Sequence, residues 1–178
     1  MTETAPHTGW HDSDADARVV AADVLKALER RGDTLATAES LTGGLVAAAL
    51  TSIAGSSTVV RGGVVAYASD VKCDVLGVDA DLIAVHGVVS AEVACAMAAR
   101  ATAVFASVWG VSTTGVAGPD RQEGRPVGTV HVGVAGPDGP TGVRVSATEF
   151  ALSGSRAEIR AASVVVALRL LGARVFDV

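Results

Sequence analysis

Ser40 lies in the stretch T-A-E-S-L-T-G-G (37–44), which joins a short apolar segment to one rich in alanine and leucine. The apolar segment, Thr34 to Ala38, predicts a buried strand, and the segment from Leu41 to Ile53 predicts a helix. A serine where a helix begins lies beside backbone N–H groups that have no partner within the helix. Those donors favour a phosphate, a carboxylate or a developing oxyanion. The alternative is that Ser40 or Thr42 is an ordinary N-cap and the adjacent glycines serve packing.

Lysine is rare in this chain, which has twelve arginines but only Lys26 and Lys72. Arginine stays protonated in proteins, whereas a partly buried lysine can lose its proton and act as a base. Lys26 falls in a predicted amphipathic helix, where we expect it to be solvated. Lys72 follows the sole tyrosine, Tyr67, by five residues and lies just past a predicted strand, where open α/β sheets form their sites. Lys72 is therefore a candidate base. The alternative is that codon bias explains the rarity of lysine, with Lys72 on a helix surface and Tyr67 packed.

A second serine is also spaced for chemistry with this lysine. Ser69 and Lys72 fit S-x-x-K, the spacing of the serine–lysine pair in penicillin-recognising enzymes. The companion motifs S-D-N and K-T-G are absent from the sequence, which disfavours Ser69 as a nucleophile. The four histidines are scattered, and no G-x-S-x-G motif accompanies them. A serine paired with a lysine is therefore the favoured nucleophilic arrangement.

Composition excludes several classes of protein. The net charge of −5 provides no basic surface for nucleic acid or an anionic membrane. Cys73 and Cys95 show neither metal-ligand spacing nor a disulfide framework. The first residues lack the basic and apolar pattern of a signal peptide, and no apolar run is long enough to span a bilayer. We predict a cytoplasmic protein that binds neither nucleic acid nor membrane.

The elements that must position these residues follow a simple order. Residues 1–14 are polar and aperiodic, which predicts a disordered tail, and residues 15–178 predict one domain. Helices are predicted at 15–31, 41–53, 69–76, 79–85, 91–106 and 155–172, and strands at 34–38, 58–68, 109–114, 128–135 and 141–150. The last two strands flank the turn P-D-G-P (137–140), a hairpin signal. This order predicts an α/β fold: a three-layer α/β/α single domain with a mixed, largely parallel sheet and a C-terminal hairpin and helix.

Eight motifs occur in a fixed order along the chain. They are T-A-E-S-L-T-G-G (37–44), I-A-G-S-S (53–57), R-G-G-V-V-A-Y-A-S-D-V-K (61–72), L-G-V (76–78), H-G-V-V-S (86–90), T-G-V-A-G-P-D (114–120), R-P-V-G-T-V (125–130) and G-S-R-A-E-I-R (154–160). With them the chain resembles, over residues 17–172, the C-terminal domain of the competence-damage-inducible protein CinA, the family of nicotinamide-nucleotide amidases. It departs from that pattern at Leu41, where cysteine is common, and at Ala68-Ser69, where Ser-Asn is common. We expect a stand-alone form, without the molybdopterin-binding-like domain of longer relatives.

The resemblance implies hydrolysis of the carboxamide of nicotinamide mononucleotide to nicotinate mononucleotide and ammonia, a step of the pyridine nucleotide cycle, with no metal or cofactor. Its serine corresponds to Ser40 and its Y-x-x-x-x-K motif to Tyr67 and Lys72. Ser40 would attack, Lys72 would take its proton, and Tyr67 would relay a proton or orient Lys72. Arg61 and Arg125 are candidates for the phosphate. Candidates for binding the substrate or its oxyanion are Thr42, Gly43, Gly44, Thr114, Gly115, Ala117 and Gly118.

A second function from another class remains open at this point. The helix start at Ser40 and the loop 115–119 would also suit a non-catalytic regulatory module that holds a nucleotide phosphate. Such a module needs the backbone of these segments but not the Ser40 hydroxyl, Lys72 or Tyr67. Their joint presence at family positions favours the amidase. For either function we predict a small-molecule nucleotide as the ligand and a homo-oligomer, dimer or higher, as the assembly.

Overall fold

A five-stranded sheet with helices on both faces makes up the computed structural model, which describes residues 13–139 and 142–177. The helices are α1 (Ser13–Arg31), α2 (Leu45–Thr51), α3 (Ser69–Asp74), α4 (Ala80–His86), α5 (Ala91–Phe105) and α6 (Arg156–Phe176). The strands are β1 (Leu35–Glu39), β2 (Val60–Val65), β3 (Trp109–Gly115), β4 (Thr129–Asp138) and β5 (Gly142–Ala151). No helix within the described ranges is long and apolar enough to cross a membrane.

The sheet is mixed, as predicted, with the strand order β2-β1-β3-β4-β5. β1 lies between β2 and β3 and is parallel to both, whereas β4 lies between β3 and β5 and is antiparallel to both. The chain leaves β1 through α2 to reach β2, and it leaves β2 through α3, α4 and α5 to reach β3. These two connections run on opposite faces of the sheet. They therefore open a crevice at the carboxyl end of β1, where open α/β sheets bind ligands.

The two faces of β1 carry side chains of different size. Leu35 packs with Trp109 and Val111 of β3 in the core beneath α1, α2 and α6. Ala36 and Ala38 face the other way, into the core beneath α5. This alternation follows from the two-residue period of a strand, and it confirms the predicted three-layer α/β/α architecture.

Small residues let α5 lie close to the sheet. A Cβ added at Gly110 of β3 would collide with the Ala98 carbonyl oxygen of α5, and one at Gly133 of β4 with the Ala94 carbonyl oxygen. Ser112 of β3 uses this proximity, because its hydroxyl donates a 2.6 Å hydrogen bond to the Ala94 carbonyl. The alanine-rich composition of the predicted helix 91–106 thus serves tight packing on the sheet.

The last residue of β1, Glu39, is buried and binds the first amides of α2. Its Oε2 accepts hydrogen bonds of 3.0 Å from the N–H groups of Gly44 and Val46, and its Oε1 accepts one of 2.8 Å from Ala47 N–H. These N–H groups have no partner within the helix, and a carboxylate also suits the positive end of the helix dipole. Glu39 therefore ties the start of α2 to the end of β1.

Two predicted helix boundaries differ from the observed ones by four residues, and each difference has a local reason. α2 begins at Leu45 rather than at Leu41, because Gly44 has a left-handed conformation (φ 96°) that a helix cannot contain. α6 continues past Gly172, where we predicted its end. Gly172 is buried against α1, and an added Cβ would lie 3.2 Å from Val24 Cγ2, so this glycine serves helix packing.

The predicted disordered tail is only partly covered by the structure. α1 begins at Ser13, so its first turn starts within the stretch 1–14 that we predicted to be disordered. Residues 1–12 lie outside the described part of the chain.

We expect Glu39→Gln to lower the free energy of unfolding by about 3 kcal/mol. Hydrogen bonds to a charged group contribute about 1.5–3 kcal/mol each, and a single amide oxygen cannot replace two carboxylate oxygens that accept three N–H groups. Urea denaturation would measure the loss. Exposed Glu29 of α1 is the matched control, and Glu29→Gln should change stability by less than about 0.5 kcal/mol. Equal stability of the two variants would show that Glu39 does not hold α2.

Candidate active site

An open pocket of about 160 Å³ lies at the carboxyl ends of β1, β2 and β3. The predicted catalytic residues Ser40, Tyr67 and Lys72 all line it. So do four of the predicted binding residues, all from the end of β3 and the loop after it: Thr114, Gly115, Ala117 and Gly118. The topology explains this convergence, because parallel neighbouring strands end at the same edge of the sheet.

Lys72 is buried, with 1% of its surface exposed, and its amine contacts the candidate nucleophile. Lys72 Nζ lies 3.1 Å from Ser40 Oγ. It also donates to two backbone carbonyls of the segment after β2, those of Ala66 at 2.8 Å and Tyr67 at 3.3 Å. In the neutral amine, these carbonyls take both N–H hydrogens and the lone pair is left for the Ser40 hydroxyl. The partners therefore suit a lysine that accepts a proton from Ser40.

Burial lowers the pKa of Lys72, because its ammonium form loses contact with water. Electrostatic interactions with Cys73 and Glu123 act in the opposite direction and raise this pKa, but their effect is smaller than that of burial. Lys26 provides the contrast, since it is exposed on α1 as the sequence predicted. Of the two lysines, the one at the strand end is thus placed to be a base.

Ser40 lies in a tight turn rather than at the start of a helix, so that part of the prediction is wrong. Ser40 N–H donates to the Thr113 carbonyl of β3 at 2.9 Å, and Gly43 N–H donates to the Ser40 carbonyl at 3.0 Å. α2 begins only after Gly44, and its first amides are bound by the Glu39 carboxylate. The helix N-terminus is therefore occupied by the protein itself and offers no anion site to a substrate.

The amides of Gly43 and Gly44 are likewise engaged, and they are therefore unsuited to bind an oxyanion. The N–H groups of Leu41, Ala117 and Gly118 line the pocket and donate to no group among the residues that the structure describes. Leu41 directly follows Ser40, a position from which an amide can reach the carbonyl oxygen under attack. These three amides are therefore candidates for oxyanion donors.

Two predicted binding threonines have structural partners. Thr42 is fully buried, and its Oγ1 lies 2.7 Å from Oγ1 of Thr113, which fixes the Ser40 turn to β3. Thr114 lines the pocket, but its hydroxyl donates a 2.6 Å hydrogen bond to the Val88 carbonyl. Both hydroxyls thus shape the site through the backbone they hold.

The two arginines predicted to bind phosphate do not line the pocket. Arg61 is near the amino end of β2, whereas the site is at its carboxyl end, and Arg61 Nε donates to the Phe105 carbonyl at 3.0 Å. Arg125 is exposed in the loop between β3 and β4, where its backbone pairs with that of Gln122. Because Lys72 follows β2 and Arg61 is near its start, the two residues lie at opposite ends of this strand.

Arg156, the first residue of α6, is the arginine that the sequence prediction missed. It lines the pocket, and its guanidinium donates to the Gly118 carbonyl and, at 2.6 Å, to the Tyr67 phenol oxygen. The signal was available, because Arg156 belongs to the motif G-S-R-A-E-I-R (154–160) that carried part of the resemblance. Arg156 therefore bridges the two walls of the pocket mouth.

Tyr67 lies two residues beyond β2 and is 56% exposed. Its carbonyl, rather than its phenol, is the partner of Lys72, and the phenol accepts from Arg156. Tyr67 thus orients Lys72 through the backbone and places an aromatic ring at the mouth.

Two acidic groups complete the surroundings. Asp120 lines the pocket from the loop after β3, and Glu123 accepts a 2.8 Å hydrogen bond from Val88 N–H. The described residues contain no group of three or more histidine, cysteine, aspartate or glutamate side chains placed to hold a metal ion.

Comparison with known proteins gives the family. Residues 17–175 match the model of the CinA C-terminal domain. The chain is 52% identical over 141 residues to a CinA-like protein of Mycolicibacterium gilvum, which covers 79% of this chain and 32% of that protein. It is 49% identical over 148 residues to a CinA-like protein of Frankia casuarinae, which covers 83% of this chain and 33% of that protein. The chain thus spans about a third of the length of these curated relatives.

Solved structures share the fold. A CinA superfamily protein from Klebsiella pneumoniae has a TM-score of 0.85 and 29% identity, over 91% of this chain and 99% of that chain. The competence/damage inducible protein CihA from Agrobacterium tumefaciens has a TM-score of 0.81 and 36% identity, over 95% of this chain and 98% of that chain. Both comparisons confirm the predicted resemblance and fold class, and with the match over residues 17–175 they show that this chain belongs to the CinA C-terminal domain family.

Proposed function

We propose that this domain hydrolyses the carboxamide of nicotinamide mononucleotide, with Ser40 as nucleophile and Lys72 as general base. The observation that carries the proposal is the 3.1 Å contact between Ser40 Oγ and the buried Lys72 Nζ. A buried lysine with a lowered pKa beside a serine is an arrangement that activates the hydroxyl without a metal. The reaction itself is the one that the family resemblance implies.

The reaction has two stages. Ser40 Oγ attacks the carboxamide carbon while Lys72 takes the hydroxyl proton, and the resulting oxyanion accepts hydrogen bonds from pocket amides such as that of Leu41. The tetrahedral intermediate then expels ammonia, which receives its proton from the Lys72 ammonium and leaves an ester on Ser40. Water attacks this ester with neutral Lys72 as base, and Lys72 then returns the proton to Ser40 Oγ as nicotinate mononucleotide leaves. Each oxyanion donor of this kind contributes about 10²–10³ in rate.

The pocket is suited to part of a nucleotide. Its volume of about 160 Å³ is below the roughly 300–1,000 Å³ of sites that enclose whole ligands. The pyridine carboxamide would lie inside, next to Ser40, and the ribose phosphate at the mouth. Arg156 is the arginine at that mouth, and its exposed guanidinium can exchange the neutral acceptors Gly118 and Tyr67 for a phosphate.

The alternative, a non-catalytic phosphate-binding module, has less support. It depended on two anion sites, the helix start near Ser40 and the loop 115–119, and the first of these is taken. The first amides of α2 are bound by Glu39, and the buried pairing of Lys72 with Ser40 has no purpose in such a module.

Ser40→Ala should retain binding of nicotinamide mononucleotide near the wild-type affinity, while ammonia release falls to background. The change removes the attacking oxygen but leaves the pocket amides and Arg156 in place. Calorimetric binding and an ammonia assay on the mononucleotide, its riboside and free nicotinamide would test both statements. Ser69→Ala is the companion variant: Ser69 lines the pocket, yet the hydroxyl next to Lys72 Nζ is that of Ser40, so activity should persist. Activity that survives Ser40→Ala but not Ser69→Ala would reverse the assignment.

Lys72→Met should lower kcat by about 10²–10⁴, the usual contribution of a general base. Methionine fills a buried lysine site without adding volume and accepts no proton. Lys72→Arg should lose activity as well, because it keeps the charge but cannot act as a base. Steady-state ammonia release would measure both. Lys26→Met, on the exposed face of α1, is the control and should leave kcat unchanged. Wild-type turnover in Lys72→Arg would show that Lys72 acts only as an electrostatic contact.

The pH dependence of kcat/KM should follow the protonation of Lys72. Only the neutral amine accepts a proton, so activity falls as the pH falls through the lowered pKa of Lys72. The charge of Glu123 raises that pKa. Glu123→Gln, which keeps an oxygen for Val88 N–H, should therefore move the acid limb of the profile to lower pH. Glu29→Gln should leave the limb in place. A limb that stays fixed in Glu123→Gln, or moves to higher pH, would contradict Lys72 as the base.

A further inference from the structure

Arg160 of α6, a half-buried residue, holds the turn that carries the candidate nucleophile. Its Nε donates to the Leu41 carbonyl at 3.0 Å, and its Nη2 donates to the Thr42 carbonyl at 2.9 Å. These carbonyls are consecutive, and they belong to the two residues that directly follow Ser40. A planar guanidinium can bind both at once, whereas the ammonium of a lysine has no such fork.

The turn leaves room for this contact. Gly43 has a left-handed conformation (φ 60°), and a Cβ added to it would lie only 3.1 Å from Arg160 Nη2. A side chain at this position would both strain the backbone and press on the guanidinium. Gly43 is thus explained by the approach of Arg160 rather than by an approaching substrate.

The two ends of the turn are held by opposite charges. Arg160 binds carbonyls at its start, and Glu39 binds the N–H groups of Gly44, Val46 and Ala47 at its end. Ser40 N–H is bound by β3. Because each trans peptide unit is planar, a guanidinium that fixes two carbonyls also fixes the planes of the two peptide groups after Leu41. The backbone that carries Ser40 is thus held at the position from which its Oγ reaches Lys72.

We propose that Arg160 is a positioning residue for Ser40, acting through the backbone of the turn rather than on the substrate. This inference rests on the proposed function for its main readout. A reacting oxygen displaced by about 1 Å can cost about 10²-fold in rate, even when the pocket still binds its ligand. Loss of the fork should therefore lower kcat while KM changes little.

Arg160→Lys tests the proposal, because it keeps the positive charge and removes the fork. We expect kcat to fall by about 10²-fold and KM to stay within about twofold. Arg174→Lys is the matched control on the same helix. Arg174 is also partly buried, and its guanidinium donates to Ser146 Oγ at 2.8 Å and the Arg144 carbonyl at 3.5 Å, far along α6 from the pocket. Both variants should lose similar thermal stability, but Arg174→Lys should keep wild-type kcat.

A second readout is independent of the amide substrate. A fluorophosphonate phosphonylates activated serines with loss of fluoride, and mass spectrometry locates the label. Wild type and Arg174→Lys should be labelled at Ser40 at the same rate, and Arg160→Lys about 10²-fold more slowly. If Arg160→Lys does not fold, the same measurements are made on Arg160→Gln, which keeps one amide donor without the charge.

The outcomes separate this inference from the proposed function. Slow labelling of Arg160→Lys with no ammonia from any wild-type assay would support the positioning role and reject the amidase. Wild-type labelling and turnover in a folded Arg160→Lys would overturn the positioning role and leave the amidase in place. Equal losses of kcat in Arg160→Lys and Arg174→Lys would mean that α6 stabilises the fold without positioning Ser40, which also overturns it.

Discussion

The end of β1 sends two consecutive side chains to opposite faces of the sheet, and the site depends on this alternation. Glu39 points to the layer of α2, where its carboxylate binds three amides. Ser40 follows it and meets Lys72 on the other side. The two-residue period of a strand enforces the separation. One residue therefore satisfies the helix N-terminus, and the next faces the crevice that the diverging connections open.

Burial of Lys72 lowers the pKa of its amine, and it also costs free energy. Removing an ammonium from water is unfavourable, and this lowers the pKa of the amine. The carbonyls of Ala66 and Tyr67 provide hydrogen bonds that a buried amine needs in either protonation state. Because these acceptors belong to the segment after β2, the parallel pairing of β1 and β2 brings the amine to the serine. The same sheet contact thus builds the fold and the pair.

The closing helix, α6, contributes to the site from the far end of the chain. Arg156 and Arg160 lie one helical turn apart and so share a face. Arg160 binds the turn after Ser40, and Arg156 binds Gly118 and Tyr67 on the two walls of the mouth. These contacts connect residues that are 38 to 119 positions apart in the sequence. Packing α6 on the sheet is therefore also what assembles the pocket.

The sequence by itself determined the order of helices and strands, because periodicity and glycine positions are local properties. Residue types and strand ends also made Lys72 and the loop after β3 candidates, the resemblance added Ser40 as nucleophile, and the structure brings all of them to one pocket. What the sequence could not decide was which arginine reaches the mouth. Arg61 and Arg156 have the same chemistry, but strand order and helix packing place only Arg156 there. Likewise, only the tertiary structure decided that Glu39 occupies the helix N-terminus, because hydrogen-bond partners are set by distances in space.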